Sequence, residues 1–287
     1  MAIVPIQNIK DRDMRIVLLS TAAIALSGCS WLGLGGHNNG NSYGHQNAGY
    51  GQYKVKPQKK SCTNCNSLSR WNIEGGLGQE FVTGGNVLRT ADNALVGTTP
   101  NKVTMKSAYA TADRADLGVS YALNPNRKVI LNGYVSESDG SRQNIGVQGG
   151  STVAGEFSDY QSYGLEAGLR QYALPVRVPY IKSIRPYLEA RAGVARVDDI
   201  DIRNVTLTSA AGAVTAGNDF QALDASWVPT AAGLVGVETP LFNRMTIGLE
   251  SGLRYSGKVD AVEGGFAGAD SGSRWSVPVS LRGRYRF

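Results

Sequence analysis

From Arg70 onward, apolar and polar positions alternate along the chain with a period of two. In RWNIEGGLGQEF, Trp71, Ile73, Leu77 and Phe81 fall on one face, and Asn72, Glu74, Gly76 and Glu80 on the other. Over 115–123, Ala115, Leu117, Val119, Tyr121 and Leu123 oppose Asp116, Gly118 and Ser120. Over 128–136, Val129, Leu131, Gly133 and Val135 oppose Lys128, Asn132 and Ser136. The pattern returns at 163–173 (Tyr163, Leu165, Ala167, Leu169 against Glu166, Gly168, Arg170) and at 184–194 (Leu188, Ala190, Ala192, Val194 against Glu189, Arg191, Gly193). A less regular run spans Trp227 to Thr239. Two more follow: Met245, Ile247, Leu249, Leu253 and Tyr255 against Glu250, Gly252 and Arg254, then Trp275, Val277, Val279, Leu281, Tyr285 and Phe287 against Ser280, Arg282, Arg284 and Arg286. Successive side chains of a strand point to opposite faces, so each run predicts a strand with one apolar and one polar face. Each is near the nine to eleven residues that cross a bilayer at a tilt.

A soluble sandwich also alternates, and three features favour a membrane barrel. The polar face carries both signs of charge: Glu74, Glu80, Asp116, Glu166, Arg170, Glu189, Arg191, Glu238, Glu250 and Arg254. In a narrow barrel that face lines the lumen, where opposite charges can pair. Connections alternate between long (83–110, 137–159, 200–225, 257–273) and short (124–127, about 175–183, 240–243), the arrangement of outer-membrane barrels. Aromatic residues gather toward strand ends, at Trp71, Phe81, Tyr109, Tyr163, Tyr187, Trp227, Phe242, Tyr255, Trp275, Tyr285 and Phe287, as interfacial girdles would. The predicted fold is all-β: an eight-stranded antiparallel up-and-down transmembrane β-barrel over 70–287, with a disordered N-terminal tether. Side chains fill a barrel of that size, so Glu74, Glu166, Arg170, Glu189, Arg191, Glu250 and Arg254 are expected to form a lumen core of ion pairs. The repeat GLEAGLR at 164–170 and GLESGLR at 248–254 puts Glu and Arg four apart on one face, and Glu166 is expected to pair with Arg170. In the third long connection Ile200, Ile202, Val205 and Leu207 alternate too. They form either an extra hairpin or an extension of strands five and six beyond the membrane.

Composition narrows the picture further. The chain has 287 residues and 36 glycines, which favours strands and turns over long helices. Its mean hydropathy is -0.19, and no apolar run of about 20 residues follows residue 34, which excludes a helical membrane bundle but not a barrel. The formal net charge is +6. The basic residues are scattered along strands, so no nucleic-acid partner is expected. The one local cluster, Lys54, Lys56, Lys59 and Lys60, reads as part of a solvated tail, with anionic lipid headgroups as the other possible contact.

The N-terminal quarter, residues 1–69, reads differently. An apolar run, Ile16 to Leu26, follows Lys10, Arg12 and Arg15 and precedes Ser27, Gly28 and Cys29, which is the layout of a cleaved secretory signal over 1–28. Met1 and Met14 are both candidate starts. Leu26-Ser27-Gly28-Cys29 resembles the bacterial lipobox. That resemblance implies acylation of the Cys29 thiol, cleavage just before it and passage through the lipoprotein export pathway. Ser30, rather than Asp, implies onward transport to the outer membrane. Residues 31–69 are rich in Gly, Asn, Gln, Ser and Tyr, too polar to bury much surface, and read with Cys29 as a lipid-anchored flexible linker over 29–69. His37 and His45 lie there, a weak hint of metal. Cys62-Thr63-Asn64-Cys65 is a CxxC in an exported chain, best read as a local disulfide between Cys62 and Cys65.

Little in the barrel region suggests chemistry. No histidine lies beyond residue 45, and there is no Walker loop or HExxH motif, so no catalytic residue, cofactor or bound metal is expected. Asp198, Asp199 and Asp201 have a spacing that could hold Ca²⁺, but read first as a solvated acidic loop. Val279, Leu281, Gly283, Tyr285 and Phe287 resemble the C-terminal strand of outer-membrane proteins, which implies an assembly signal in Tyr285 and Phe287 read by the barrel-assembly machinery. Residues 70–287 resemble small OmpA-like or opacity-type barrels in architecture. The expected role is a non-enzymatic outer-membrane lipoprotein of a Gram-negative bacterium, anchored at Cys29 and in contact with outer-membrane lipid. It would be structural or interactive, presenting four extracellular loops whose ligand the sequence does not name. The alternative is a narrow pore for small solutes or ions.

Overall fold

A computed structural model describes residues 70–88, 98–179, 181–262 and 272–287. In chain order the elements are β1 (Trp71–Gly84), β2 (Asn86–Leu88), β3 (Thr98–Pro100), β4 (Val103–Thr104), a one-turn helix α1 (Met105–Ala108), β5 (Thr111–Asn124), β6 (Arg127–Ser138), β7 (Arg142–Gln148) and β8 (Ser151–Phe157). There follow β9 (Tyr160–Tyr172), β10 (Val176–Val178), β11 (Ile181–Val197), β12 (Ile200–Thr208), β13 (Val214–Ala216), β14 (Phe220–Leu223), β15 (Ser226–Pro240), β16 (Met245–Ser256) and β17 (Arg274–Arg286). The predicted signal peptide, the lipid site at Cys29, the tether with His37, His45 and its lysines, and the Cys62/Cys65 pair lie outside the described residues.

Eight long strands form the barrel. Going round the wall, the order is β1, β5, β6, β9, β11, β15, β16, β17, every neighbour antiparallel, and β17 pairs back to β1 over Asn72↔Arg286 to Gly84↔Trp275. Each barrel strand pairs with the barrel strands before and after it in sequence, which is the up-and-down topology predicted. Closure leaves no free edge in the wall. The less regular sixth run is a full strand, β15, paired with β11 from Arg185↔Glu238 to Val197↔Ser226.

Alternation decides which face each residue takes. Outward stand Leu77, Leu117, Leu131, Leu165, Leu188, Val235, Leu249 and Leu281, all exposed; inward stand Glu74, Arg114, Asn132, Glu166, Arg191, Glu250 and Arg282, all buried. In water this partition would leave a large apolar surface unfavourably solvated. On β17 the belt runs from Trp275 to Tyr285, ten residues apart. At about 3.3 Å per residue and a tilt of roughly 40°, that is about 25 Å along the barrel axis, the height of the apolar band in membrane barrels. The belt is uncharged until its loop-side margin, where Asp113, Glu137 and Arg196 face outward. Among the described residues no helix is long and apolar enough to cross a membrane.

The apolar core lies at the loop end instead. Past the barrel, β6 runs on into β7, β8 leads into β9, β11 runs on into β12 and β14 leads into β15. The extensions keep the pairing order of their parent strands: β7 pairs with β8, β8 with β12 and β12 with β14, while β3 adds to β7 and β13 to β12. The wall therefore continues as a second sheet. The breaks are bridged by backbone bonds, Ser158 N donating to Asp201 O at 2.9 Å and Asp198 N to Gln161 O at 3.1 Å. β12 carries a register shift between Arg203 and Thr206, and Asn204 there has φ 51, a left-handed conformation that asparagine tolerates. Gly85 has φ +112, and a Cβ there would clash with Ser273 O, so the turn from β1 into β2 requires glycine. Val87, Leu88, Met105, Ile145, Phe157, Ile200, Ile202 and Leu223 pack into one buried cluster beneath this sheet. Each such side chain contributes roughly 1.5–3 kcal/mol by burial.

Three expectations change. The described parts of the long connections form one packed cap rather than four separate loops. Ile200, Ile202, Val205 and Leu207 do extend strand five, but their longest ladder is with β8 of the second connection; strand six contributes only the short β14 pairing. Tyr109 and Tyr187 are not girdle residues. Tyr109 is in the cap core and Tyr187 in the lumen, both nearly inaccessible. Tyr187 shares the inward parity of Glu189 and Arg191, whereas Tyr109 has the outward parity of Asp113 and Leu117 and is turned into the cap core by the one-turn helix that precedes β5.

Leu165 is 61% exposed at mid-belt. Leu165→Arg is expected to lower unfolding stability in lipid vesicles by about 2–4 kcal/mol, measured by urea titration of gel mobility. Phe157→Ala is expected to open 139–159 to added protease while leaving the heat-dependent gel shift of the barrel in place.

Candidate functional site

The lumen is a network of charge built from seven of the eight barrel strands, with β6 adding the ring of Tyr134. Seven arginines (Arg114, Arg170, Arg191, Arg254, Arg274, Arg282, Arg284) meet seven acids (Glu74, Glu80, Asp116, Glu166, Glu189, Glu238, Glu250). Nearest the cap, Glu80 takes Arg114 and Arg254 at 3.0 Å each and Arg274 at 3.9 Å. Glu166 takes Arg254, Arg114 at 3.4 Å and Arg191 at 3.9 Å. Midway, Glu250 accepts from Arg191 at 3.0 Å and Arg282 at 3.1 Å, and Arg282 reaches Asp116 at 2.7 Å. Toward the short turns, Arg170 sits between Glu74 at 3.0 Å and Glu189, while Arg284 joins Glu74 at 2.8 Å to Glu238.

Taking an ion out of water costs several kcal/mol, and a single partner seldom offsets it. Here most acids contact two or more guanidiniums, and the planar forks lie on rings. Arg114 stacks 3.6 Å from the Tyr134 centroid, Arg274 4.4 Å from Tyr160 and Arg170 4.5 Å from Tyr187. Glycines make room: a Cβ on Gly76 would meet the Asp116 carboxylate at 2.7 Å. Beside Gln79, Arg114, Asp116, Arg191, Glu250 and Arg254 there is a cavity of about 10 Å³, room for about one water molecule. Toward the short turns, Tyr172 and Tyr187 close the lumen with centroids 5.6 Å apart, donating to Glu238 at 3.2 Å and Glu250 at 3.0 Å. At the other end the cap core covers it. There Tyr109 donates to Ser158 O at 2.9 Å, and burial pushes its phenol up, so it stays a neutral donor.

All seven lumen residues expected from the sequence belong to this network, but one pairing differs. Glu166 and Arg170 do not pair, nor do Glu250 and Arg254. Residues four apart on a strand are about 13 Å apart, beyond direct contact. Each acid pairs across the lumen or with a neighbouring strand, Glu166 with Arg254 of the other repeat copy. Arg114 and Arg274 fell just outside the runs read as strands two and eight. Their parity, shared with Asp116 and with Ser276, Ser280 and Arg282, was the signal for both. Arg286 shares that parity but emerges exposed beyond the lumen.

Tyr285 and Phe287 face outward together, rings 5.7 Å apart, and Phe287 N donates to Trp71 O at 3.3 Å. Asp201 is paired with Arg203 at 2.9 Å, and among the described residues no group of histidine, cysteine, aspartate and glutamate has metal-holding geometry.

No family model and no curated protein sequence matches the chain. Among solved structures, Neisserial surface protein A matches at 12% identity and TM-score 0.43, over 76% of this chain and 98% of its own. The outer-membrane protease OmpT of Escherichia coli matches at 9% identity and TM-score 0.42, over 75% and 97%. The N-terminal β-barrel domain of Pseudomonas aeruginosa OprF matches at 11% and 0.31, over 75% and 97%. At these scores the likenesses add nothing to what the strand pairing shows.

Removing Arg254 takes from Glu166 its nearest guanidinium and leaves it Arg114 at 3.4 Å and Arg191 at 3.9 Å. Arg254→Met is expected to cost about 3–5 kcal/mol. Adding Glu166→Gln should recover part of that loss, whereas Arg170→Met combined with Glu166→Gln should recover none. Urea unfolding of the four variants in vesicles provides the comparison.

Proposed function

We propose that this chain is an outer-membrane β-barrel lipoprotein that acts as a membrane-held scaffold, presenting the folded cap to the outside and conducting nothing through its lumen. The observation that carries the reading is the pairing of an apolar outer belt with a lumen of seven arginines and seven acids sealed at both ends. A bilayer supplies the only solvent that matches such a belt. A filled, self-neutralised lumen stiffens the wall and offers no route for solute, which counts against the narrow pore. The cap supports an interaction role, because a sheet on its own apolar core holds a surface in one shape more firmly than four free loops would. The anchor at Cys29 and the use of Tyr285 and Phe287 in assembly remain parts of this proposal, supported by the motifs in the sequence.

Two measurements test it. In planar bilayers the purified chain should show no discrete conductance steps; a stable open level would overturn the closed scaffold. In cells, labelled palmitate should enter the wild-type chain and not Cys29→Ser, with both chains in the outer-membrane fraction; equal labelling would remove the lipid anchor.

A further inference from the structure

The segments at the short-turn end of the barrel are LNPNRK at 123–128, ALPVRVPYIKSIR at 173–185 and PLFNRM at 240–245, together with Arg70 and the final RYRF. None contains an aspartate or glutamate. Six arginines, Arg70, Arg127, Arg177, Arg185, Arg244 and Arg286, are distributed over all of them, five exposed and Arg185 half-buried. Where they bond, they bond to neutral oxygens: Arg70 to the Tyr121 hydroxyl at 3.5 Å, Arg127 to Gln171 at 2.6 Å and Arg185 to Asn126 at 3.0 Å. The lumen cannot neutralise them, since its own arginines and acids are matched. The cap end differs in carrying both signs, with Glu156, Asp159, Asp198, Asp199, Asp201 and Asp224 alongside Lys102, Lys106, Arg142 and Arg203. The arginines stand beside exposed apolar side chains, Leu174 at 79%, Phe242 at 66% and Trp71 at 41%. Those side chains mark the depth at which headgroups begin.

We infer that this rim is a binding surface for anionic phospholipid headgroups, the phosphodiesters of the leaflet facing the short turns. The inference rests on the membrane-spanning reading above. Guanidinium forks bond phosphate oxygens bidentately. The arginines surround the wall at headgroup depth, next to side chains that enter the acyl region, which a soluble polyanion would not require. Each such arginine near an anionic surface is worth about a five-fold preference, and the effect is screened by salt.

The test uses the full chain in nanodiscs of phosphatidylcholine alone and of phosphatidylcholine with one-third phosphatidylglycerol. The readout is the lipid retained on the barrel after detergent extraction, measured by native mass spectrometry. The ratio of retained phosphatidylglycerol to retained phosphatidylcholine should exceed the ratio in the mixture at least five-fold at low salt and fall toward it in 0.5 M NaCl. The combined variant Arg127→Gln, Arg177→Gln, Arg244→Gln, Arg286→Gln should lose the preference, and the same four changed to Lys should keep most of it. Lys102→Gln with Lys106→Gln, at the cap end, should keep all of it. Unbiased retention by the wild type, or a preference that survives the four-glutamine variant, overturns the rim site. So does a preference that the cap-end variant abolishes, or that a soluble polyphosphate removes as readily at high as at low salt. Failure of the wild type to fold in phosphatidylcholine alone would instead overturn the membrane reading beneath it.

Discussion

Everything in this protein depends on the mutual neutralisation of charge inside the barrel. The wall is inverted relative to a water-soluble domain: its apolar side chains face out and its ionic ones face in. That arrangement is tenable only if a lipid phase covers the outside and the buried ions find one another inside. With partners, fourteen ionic side chains become the packing of the lumen. Without them, each would be an uncompensated charge taken out of water.

The same inversion explains where the hydrophobic core lies. The lumen is occupied by guanidiniums, carboxylates and the rings on which they stack, so apolar burial has only the outer belt and the loop end available. The extensions β7, β8, β12 and β14 bury Ile145, Phe157, Ile200, Ile202 and Leu223 above the lumen, and so close the barrel with the one solvent-excluded apolar cluster among the described residues. The ionic lumen and the apolar cap thus support each other. The cap keeps water from the arginines nearest it, and the rigid wall keeps the cap strands in pairing order.

Most of the wall was legible in the sequence because a period-two pattern is local and needs no partner to be seen. Strand number, closure and the long-short alternation of connections followed from parity and turn residues. Three things were not legible. Pairing inside the lumen depends on which strands face one another across it, so Glu166 meets Arg254 rather than the arginine four residues on. Arg114 and Arg274 were hidden by strand starts placed too far in, by four residues for β5 and by one for β17. The cap was hidden because its strands pair between connections distant in sequence, β8 with β12 and β3 with β7, and alternation inside a connection does not say what it pairs with.

The central claim is that the lumen is a filled ionic core closed to solvent. Its most direct test is the reactivity of a single cysteine placed there, with Cys29, Cys62 and Cys65 replaced by serine. Ser280 faces the lumen and is buried. In the folded, bilayer-held barrel Ser280→Cys should remain unmodified by a small charged thiol reagent added to either side, and should react fully on unfolding. Rapid modification in the folded state would show a water-filled lumen and contradict the account.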